Sequence, residues 1–268
     1  MTKPFIVAAV QMNCVMGDIN ENLRVAKKMI LEAADKGAAL VVLPELFDTG
    51  YRVEEKDREV ATSIPGKTTD FLEAICKERN IHVVGAIIEK IDNELFDTAV
   101  LVGPSGVVGK YRKTALWAAE NNRFSKGTHE YQVFDIGFCK IGLLICYEIG
   151  FPEAARVLTL QGADILLYPS AFGKSRYYAW DIASRARALE NGNYVIACNR
   201  TGIEKSETEF GGGSRIIAPK GNVLVQAAEE FEVIVAEVDL ELIREQRDVI
   251  PYLKDLNCKR FAQYYERH

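Results

Sequence analysis

The sequence predicts a layered α/β fold, because short apolar runs rich in Val and Ile alternate with helical patterns along its 268 residues. A second observation is an internal echo between 37–44 (GAALVVLP) and 162–169 (GADILLYP). Each stretch is typical of a helix end, then a buried strand, then a proline that stops the strand. Two similar halves would form two sheets related by a pseudo-twofold axis, with helices outside. The alternative is coincidence, since such apolar runs are common in α/β proteins.

The first half of the chain begins with a strand and an amphipathic helix. After the strand near 5–12, Asp18 and Glu21 have the spacing of a capping box, and the helix that they begin ends near Gly37. The other predicted elements of this half are a strand at 40–43, a helix near 70–80, and strands at 81–89, 95–102 and 106–111.

The second half continues the alternation of strands and helices. Its predicted elements are a strand at 139–145, a helix at 153–162, a strand at 164–168, a helix near 176–191, a strand at 193–199, and glycine-punctuated strands between 212 and 238. No linker rich in Pro, Gly or Ser separates the two halves. We therefore predict a single domain over 1–268, in which 248–268 forms a C-terminal tail.

Charge, hydropathy and cysteine usage narrow the cellular context. The net charge of −5 disfavours a nucleic-acid partner, because that affinity comes from clustered Lys and Arg, and no such cluster is present. The longest apolar runs, such as 141–146, are far shorter than the roughly 20 residues that span a bilayer, so no membrane partner is expected. The N-terminus lacks the features of a signal peptide, and the six scattered cysteines favour free thiols. We expect a cytoplasmic protein with a small-molecule partner.

Glycine and histidine patterns disfavour two other kinds of site. Two G-K-[ST] tripeptides, at 66–68 and 173–175, lack the glycine five residues earlier that a P-loop needs. A three-histidine zinc site would have to recruit His82, His129 and His268 together, so we predict no metal. A cysteine nucleophile usually borrows a histidine base, and only His129, in a predicted surface turn, is available. A carboxylate is therefore the favoured base for any thiol chemistry.

An acid, an amine and a thiol follow three of the predicted strands. Glu45, Lys113 and Cys146 each lie within two residues of a predicted strand end. In open α/β sheets, ligands bind in the crevice beyond the carboxyl ends of the strands. We therefore expect these three side chains to meet there as a base, a cation and a nucleophile.

Each residue type has a chemical reason to be in such a site. A free thiol has a pKa of about 8.5, so it needs a base or a positive charge to ionise at neutral pH. Lys113 would favour the thiolate and later stabilise an oxyanion. Glu45 could accept the thiol proton and return it to a leaving amine. The backbone N–H of Tyr147, after Cys146 at a strand-to-helix turn, could point at the same oxyanion.

Three stretches together resemble the nitrilase superfamily of carbon–nitrogen hydrolases, whose signature is a Glu–Lys–Cys triad. The stretches are PELFDTGY around Glu45, GKYRKTAL around Lys113, and GLLICYEIGFPEAARVLTLQGADILLYPSAF around Cys146. The resemblance implies a four-layer αββα sandwich that forms a homodimer through helices, with no cofactor. It also implies a second catalytic glutamate after the lysine, and Glu120 matches that position.

Each of these residues also has a purely structural interpretation. A buried cysteine before a helix is usually a core residue, a glutamate after a proline is often a loop acid, and Arg-Lys pairs usually face solvent. The three motifs in the right order favour catalysis. Residues beside the motifs are candidates for substrate binding or for packing, and we assign substrate binding to Tyr51, Trp117, Tyr147 and Phe172, and leave Asp48, Glu148 and Phe151 open.

The predicted reaction is hydrolysis of a small amide or N-carbamoyl compound through a thioester on Cys146. A small nitrile is the alternative substrate, although the nitrilases of this superfamily tend to have Cys-Trp-Glu where this chain has Cys-Tyr-Glu. A non-catalytic binding or scaffold protein with the same fold is the rival from another class. A serine- or metal-dependent amidase is a further alternative, which the histidine count disfavours.

The residue at position 150 bears on substrate charge. Superfamily members that act on ω-amides of dicarboxylic acids tend to have Cys-Tyr-Asp-x-Arg-Phe-Pro-Glu, whereas this chain has Glu148 and Gly150 in place of the aspartate and the arginine. Because arginine is the preferred partner of a carboxylate, its absence predicts a preference for neutral amides. Arg176 could supply the missing cation from another side of the pocket.

Overall fold

A computed structural model of the chain describes residues 3–128 and 131–265, with side chains as far as 263. Its first half contains β1 (Phe5–Gln11), α1 (Ile19–Asp35), β2 (Ala38–Val42), α2 (Asp57–Val60), α3 (Lys67–Arg79), β3 (His82–Ile91), β4 (Glu94–Gly103) and β5 (Gly106–Arg112). Every strand and helix predicted for this half is present, with ends shifted by a few residues.

The second half contains the remaining predicted elements and several that were not predicted. They are β6 (Val133–Asp135), β7 (Lys140–Leu143), α4 (Pro152–Leu160), β8 (Ile165–Ser170), α5 (Tyr177–Asn191), β9 (Tyr194–Asn199), β10 (Ile203–Glu204), β11 (Thr208–Glu209), β12 (Arg215–Ile217), β13 (Val223–Gln226), β14 (Glu232–Val238), α6 (Glu241–Val249), α7 (Tyr252–Asp255) and α8 (Cys258–Tyr265). The unpredicted ones are β6, the β10–β11 hairpin and the three C-terminal helices. His129 and His268 lie outside the described residues.

The strands form two six-stranded sheets with the same order. The first sheet runs β14-β1-β2-β3-β4-β5, and the second runs β6-β7-β8-β9-β12-β13. In each sheet, three parallel strands lie side by side. One antiparallel strand pairs with the first of them, and two further strands follow the third, each pairing antiparallel with the strand before it. The echoing stretches 37–44 and 162–169 form β2 and β8, which occupy the same place in the two sheets. The echo therefore reflects two similar halves.

The two sheets pack face to face, and helices cover their outer faces. Along β1, Val7 and Ala9 are buried between the sheets, whereas Ala8 and Val10 pack under α1 and α3, as the alternation of a strand requires. Cys198 of β9 ties the sheets together, because its Sγ lies 3.2 Å from the carbonyl oxygen of Val10. The result is the predicted four-layer αββα sandwich.

The predicted capping box of α1 is only half formed. The Asp18 side chain accepts a hydrogen bond of 3.0 Å from the Glu21 backbone N–H, as expected of an N-cap residue. The Glu21 carboxylate does not return to Asp18 but pairs with Arg24. A flexible, exposed glutamate has a cation one turn away, and a charged partner is preferred over a backbone amide.

The C-terminal tail is helical rather than extended. Its segments α7 and α8 lie beyond α6, and their Tyr252 and Phe261 side chains are about half exposed, at 51% and 50%. Among the helices within 3–128 and 131–265, none is both long and apolar enough to cross a membrane.

Candidate active site

The three predicted strand ends meet at one edge of the sandwich. Glu45 follows β2, Lys113 follows β5 and Cys146 follows β7. The ammonium Nζ of Lys113 lies 2.5 Å from Glu45 Oε1, and the Cys146 thiol lies near enough to the Glu45 carboxylate for the two groups to interact. Glu45 and Lys113 are fully buried, and Cys146 is 6% exposed. The convergence expected from the sequence is therefore confirmed.

The backbone at Cys146 is bent sharply so that its thiol faces the edge of the sheet. Its φ is +47°, in the left-handed region that residues with a side chain rarely adopt. A 3-10 turn, Cys146–Gly150, begins at this residue. The amide of Tyr147 lies in the first turn of that short helix, where N–H groups have no intrahelical acceptor.

Glu148 braces the site from behind and does not line the pocket. Its Oε1 accepts hydrogen bonds from the Tyr111 hydroxyl at 2.6 Å and the Thr114 amide at 2.9 Å, and its Oε2 accepts from the Ile145 amide at 2.8 Å. Burial raises the pKa of Glu148, and these donors oppose that effect. One carboxylate thus joins the chain beside Lys113 to the end of β7, which settles the open choice for Glu148 in favour of packing.

Glu45 is held where the two echoing halves meet. Its Oε1 faces Lys113, and its Oε2 accepts a hydrogen bond of 2.7 Å from the amide of Ala171, just beyond β8. Glu45 and Ala171 follow Pro44 and Pro169, the prolines that end the two repeated stretches. The internal similarity therefore brings an acid from one half against a backbone donor of the other.

Glu120, the second glutamate that the resemblance implied, lies on the other side of the lysine. It belongs to the 3-10 turn Ala118–Asn122. Its Oε1 accepts from Lys113 Nζ at 3.0 Å and from the Tyr51 hydroxyl at 2.6 Å, and its Oε2 accepts from the Trp117 amide at 2.7 Å. Glu120 therefore positions Lys113 and one wall of the pocket at the same time.

A fourth acid, Asp97, was not predicted from the sequence. It lies in β4, is 1% exposed, and its Oδ2 is 3.3 Å from Lys113 Nζ. Its backbone carbonyl also accepts a hydrogen bond of 2.9 Å from the Lys113 amide. The available signal was an aspartate within the otherwise apolar run LFDTAVLVG, because a charge in a buried strand needs a partner.

The environment decides which of these groups carry charge. Burial opposes the ammonium of Lys113, but Glu45 and Glu120 hold its pKa well above its ordinary value. Burial also opposes the Glu45 carboxylate, yet Lys113 brings the pKa of that acid below its ordinary value. Burial, followed by the charge of Glu45, raises the pKa of Cys146 well above that of a free thiol, and Lys113 does not offset them. The resting site therefore contains a carboxylate, an ammonium and a neutral thiol.

This charge state limits one expectation. Lys113 was expected to favour the thiolate of Cys146, and its charge does lower the pKa of that thiol, but burial and the charge of Glu45 outweigh it. The thiol must therefore lose its proton to a base during the reaction. Oxygens of Glu45, Asp97 and Glu120 lie within 4.8 Å of one another, a spacing that suits a cation, and the Lys113 ammonium contacts all three acids.

A cavity of about 520 Å³ opens onto Cys146. All four predicted substrate-binding residues line it: Tyr51, Trp117, Tyr147 and Phe172. The Trp117 and Tyr147 rings pack with their centroids 4.8 Å apart, so they form one apolar wall. Phe151 packs on Tyr147 with its centroid 5.2 Å away and supports that wall from outside.

Most of the charged residues at the mouth of the cavity were not predicted from the sequence. Arg52 pairs with Glu54 at 2.5 Å, and Arg123 pairs with Asp57 at 2.8 Å. These residues come from the segment after Glu45 and from the turn after Glu120, where the sequence has no regular pattern. Asp48 lies behind this region and accepts a hydrogen bond of 2.7 Å from Thr68, which is a packing role.

Arg176 lines the cavity as well. Its guanidinium lies 4.7 Å from the Trp117 ring centroid and 5.8 Å from that of Phe172, in cation–π geometry. Among the residues described at 3–128 and 131–263, no carboxylate lies within 4 Å of this guanidinium. Among the described residues, the Arg176 guanidinium thus keeps its positive charge without an acid partner and packs against aromatic faces.

The αββα sandwich and the buried acid–amine–thiol cluster at its strand ends define the class of carbon–nitrogen hydrolases. The profile of the carbon–nitrogen hydrolase family matches residues 6–248. The chain belongs to this family, within the nitrilase superfamily, and is an enzyme that hydrolyses carbon–nitrogen bonds. The alternative of a non-catalytic scaffold is thereby set aside.

Three known proteins show how the similarity extends over the chain. A protein named nitrilase from Pyrococcus abyssi is 43% identical over 268 residues, covering 97% of this chain and 99% of that protein. Omega-amidase NIT2 of Xenopus tropicalis is 37% identical over 244 residues, covering 87% and 88%. The crystal structure of Saccharomyces cerevisiae Nit3, a member of branch 10 of the nitrilase superfamily, matches with a TM-score of 0.86 and 30% identity over 93% of this chain and 95% of that one.

Proposed function

We propose that this enzyme hydrolyses a small amide or N-carbamoyl compound through a thioester on Cys146. The observation that carries the proposal is the buried cluster in which Glu45 contacts the Lys113 ammonium at 2.5 Å and acts on the neighbouring Cys146 thiol. A base, a cation and a nucleophile thus lie together beside a cavity of about 520 Å³, large enough for a small molecule.

In the first half of the reaction, Glu45 removes the thiol proton as the Cys146 sulfur attacks the carbonyl carbon. The developing oxyanion accepts hydrogen bonds from the Lys113 ammonium and the Tyr147 backbone N–H. Protonated Glu45 then gives its proton to the nitrogen, the C–N bond breaks, and ammonia or an amine leaves. Glu120 keeps Lys113 oriented throughout.

In the second half, Glu45 acts again as a base. It takes a proton from water while the water oxygen attacks the thioester carbon. The C–S bond breaks, the acid product leaves, and the Cys146 sulfur regains the proton from Glu45. The site returns to its resting charge state, and the same carboxylate serves both steps.

The direct test measures ammonia released from a panel of small amides, N-carbamoyl compounds and nitriles, with Cys146→Ala as the control. We expect release from at least one carbonyl compound and none from the variant, which folds because alanine fits the space of the thiol. Incubation with a slow substrate is expected to add an acyl mass to Cys146. Turnover in Cys146→Ala, or an adduct on another cysteine, would contradict the mechanism.

A nitrile remains the second candidate substrate, and the name of the Pyrococcus abyssi relative favours it. The same thiol could attack the nitrile carbon to give a thioimidate, which two waters convert to acid and ammonia. The Tyr147 side chain, in place of the tryptophan of Cys-Trp-Glu, favours the amide. The panel separates the two, because a nitrilase releases ammonia from a nitrile at least as fast as from the matching amide.

Arg176 provides an argument about substrate charge. Gly150 led us to expect neutral substrates, but Arg176 lines the pocket, with the rings of Trp117 and Phe172 against its guanidinium. A cation without an acid partner suits a substrate carboxylate. The omega-amidase relative supports the same choice. We therefore favour an ω-amide of a dicarboxylic acid over a neutral amide.

The matched pair Arg176→Ala and Lys174→Ala tests this choice. Lys174 is two residues away, is exposed and does not line the cavity, although its partner Glu209 does. Both variants lose one positive charge, but only the first loses it inside the pocket. We expect kcat/KM for an anionic ω-amide to fall at least tenfold in Arg176→Ala and to change little in Lys174→Ala. A wild-type enzyme that prefers the neutral amide of equal length would restore the original expectation.

We also propose that the protein is a homodimer. Large apolar side chains on α4, α5 and the tail are 50% to 69% exposed, more than one subunit needs to leave in water. They are Leu160, Tyr178, Ile182, Tyr252 and Phe261. This surface lies on helices of the outer layer, where the family resemblance places subunit contacts.

A further inference from the structure

Asp97 presents a charge problem that the proposed mechanism does not use. Lys113 is the one cation that contacts the buried acids Glu45, Glu120 and Asp97 in the described part of the chain. If all three acids were ionised, the cluster would carry three negative charges against one positive charge, out of contact with water. Such an imbalance is unfavourable at low dielectric, and a proton on one acid relieves it.

Counting hydrogen-bond donors identifies the acid that holds the proton. Glu45 accepts from Lys113 and from the Ala171 amide, and Glu120 accepts from Lys113, the Tyr51 hydroxyl and the Trp117 amide. The Asp97 carboxyl has only the longest contact to Lys113, 3.3 Å, and its Oδ1 has no partner among the described residues. The carboxyl with the fewest donors is the one that gains most from a proton.

The closeness of Asp97 to Glu45 favours that proton. Carboxyl oxygens of the two residues lie within 4.8 Å of each other. Two carboxylates in that position would repel, whereas a carboxylic acid beside a carboxylate forms a strong hydrogen bond. Glu45 can then accept from four donors, namely Lys113, Ala171, Asp97 and Cys146, which matches its four lone-pair sites.

We infer that Asp97 is a neutral carboxylic acid in the resting enzyme and that it positions Glu45 by donating a hydrogen bond to it. Burial raises the pKa of Asp97 well above its ordinary value, and Lys113 only partly opposes this. The charged or titratable groups that face Asp97 are Glu45, Lys113 and Glu120. The donated hydrogen bond keeps Glu45 ionised and leaves it as the base for Cys146. Asp97 does not touch the thiol in this arrangement, so it is a positioning residue.

The first experiment compares the pH dependence of stability in wild type and Asp97→Asn. A carboxyl whose pKa is raised on folding binds a proton in the folded chain that the unfolded chain has lost, so stability falls as pH rises above about 4. The asparagine variant lacks this penalty. We expect its melting temperature to rise relative to wild type from pH 5 to pH 8, approaching a tenfold change in the folding equilibrium per pH unit.

Asp48→Asn is the matched control, because Asp48 is equally buried but lies away from Lys113. Burial raises the pKa of Asp48 to about 6. The stability that Asp48→Asn gains relative to wild type should therefore stop increasing above that pH, whereas the stability gained by Asp97→Asn should continue to increase. Infrared spectra at pH 8 add a direct reading: a protonated-carboxyl band present in wild type and in Asp48→Asn, and absent in Asp97→Asn. An Asp97→Asn variant whose stability deficit grows with pH, or a wild type without the band, would overturn the inference.

The kinetic experiment rests on the proposed function, whereas the stability and infrared experiments do not. A failure of the proposed function can therefore be distinguished from a failure of the inference about Asp97. Asp97→Ala removes a donor to Glu45 and should move the acid limb of kcat/KM to higher pH, while Asp97→Asn, whose amide still donates, should leave it in place. An ionised Asp97 predicts the opposite, because removing its charge would move the limb to lower pH in both variants.

Discussion

The reactivity of Cys146 depends on its neighbours and not on an acidic thiol. Burial and the negative charge of Glu45 raise the pKa of the thiol, while Lys113 keeps the pKa of Glu45 low. The nucleophile is therefore created at the moment of attack by a base that lies beside it. This differs from a cysteine paired with a histidine, where the thiolate exists before the substrate binds.

At this scale, we predict that Glu45→Gln lowers kcat by about 10²- to 10⁴-fold with little change in KM, because general-base catalysis acts in the transition state. Glutamine keeps the shape of the side chain and can still accept from the Ala171 amide. Steady-state kinetics on the best amide of the panel measures the effect. A variant that loses affinity while keeping kcat would show that Glu45 only binds substrate.

Lys113→Ala should lower kcat by about 10²- to 10³-fold, the usual effect of removing an oxyanion donor. Lys110→Ala is the matched control, since Lys110 is a partly exposed lysine three residues earlier on β5 that pairs with Glu89. The control is expected to keep near wild-type kcat. Equal losses in the two variants would point to general destabilisation, and circular dichroism of both proteins would reveal it.

The pH dependence of kcat/KM follows from the same charges. Activity requires ionised Glu45, whose pKa is lowered, so it is lost only as pH falls below the ordinary range of a glutamate, near 4.3. The raised pKa of Cys146 keeps a thiolate limb out of the neutral range. We expect a flat profile from about pH 5.5 to 8. A bell-shaped pH profile of kcat/KM with its maximum in that range would instead indicate a thiolate–cation pair.

At the scale of elements, the site depends on loops that are tied together behind it. Glu148 holds the chain at Thr114 and the end of β7 at Ile145 through one carboxylate. On the other side of the site, the Glu204 carboxylate accepts a hydrogen bond of 3.1 Å from the Tyr51 backbone N–H. The same carboxylate forms a salt bridge with buried Arg200. These hydrogen bonds and the salt bridge fix the positions of the strand ends, so that Glu45, Lys113 and Cys146 stay close together.

We predict that Glu148→Gln destabilises the fold and lowers kcat, although Glu148 does not line the cavity. Every partner of this carboxylate in the described chain is a donor, and the amide nitrogen of glutamine would leave at least one buried donor without an acceptor, at about 1–3 kcal/mol. Glu32→Gln, at an exposed pair with Lys36, is the control and should change stability by less than about 0.5 kcal/mol. Urea unfolding measures both, and equal stabilities would contradict the bracing role.

At the scale of the whole molecule, the exposed apolar surface of α4, α5 and the tail is the expected subunit contact. We predict that Ile182→Asp, in the middle of α5, converts a dimer to a monomer in light scattering at micromolar concentration. Val15→Asp, at a comparably exposed apolar residue before α1, should leave the dimer intact. A wild-type monomer would refute the dimer.

Deleting 252–268 addresses the role of the tail. Tyr252 and Leu256 line a shallow groove with residues of α5 and with Arg156, so the tail packs at least partly on its own subunit. A deletion variant that stays dimeric would assign the tail to its own subunit, and one that becomes monomeric would assign it to the interface. Both outcomes are read from the same light-scattering experiment.

The sequence by itself determined the alternation of strands and helices, the similarity of the stretches that form β2 and β8, and the position of Glu45, Lys113 and Cys146. These features are local, since hydrophobic period and strand-ending residues place a side chain at the carboxyl end of a strand without knowledge of its neighbours. The crevice beyond the strand ends of an α/β sheet predicted that these side chains meet, the family resemblance added Glu120, and the structure brings all four together.

Only the tertiary structure decided how the meeting side chains behave. Asp97 reads as one polar residue in an apolar strand until β4 places it beside Lys113. The sequence left open whether Arg176 reaches the pocket, and in the structure its guanidinium lies over the Trp117 ring. Charge states depend on burial and on distances between groups far apart in the chain, because the energy of a charge is set by everything around it. For that reason the sequence identified the nucleophile, and the fold decided that it rests as a thiol.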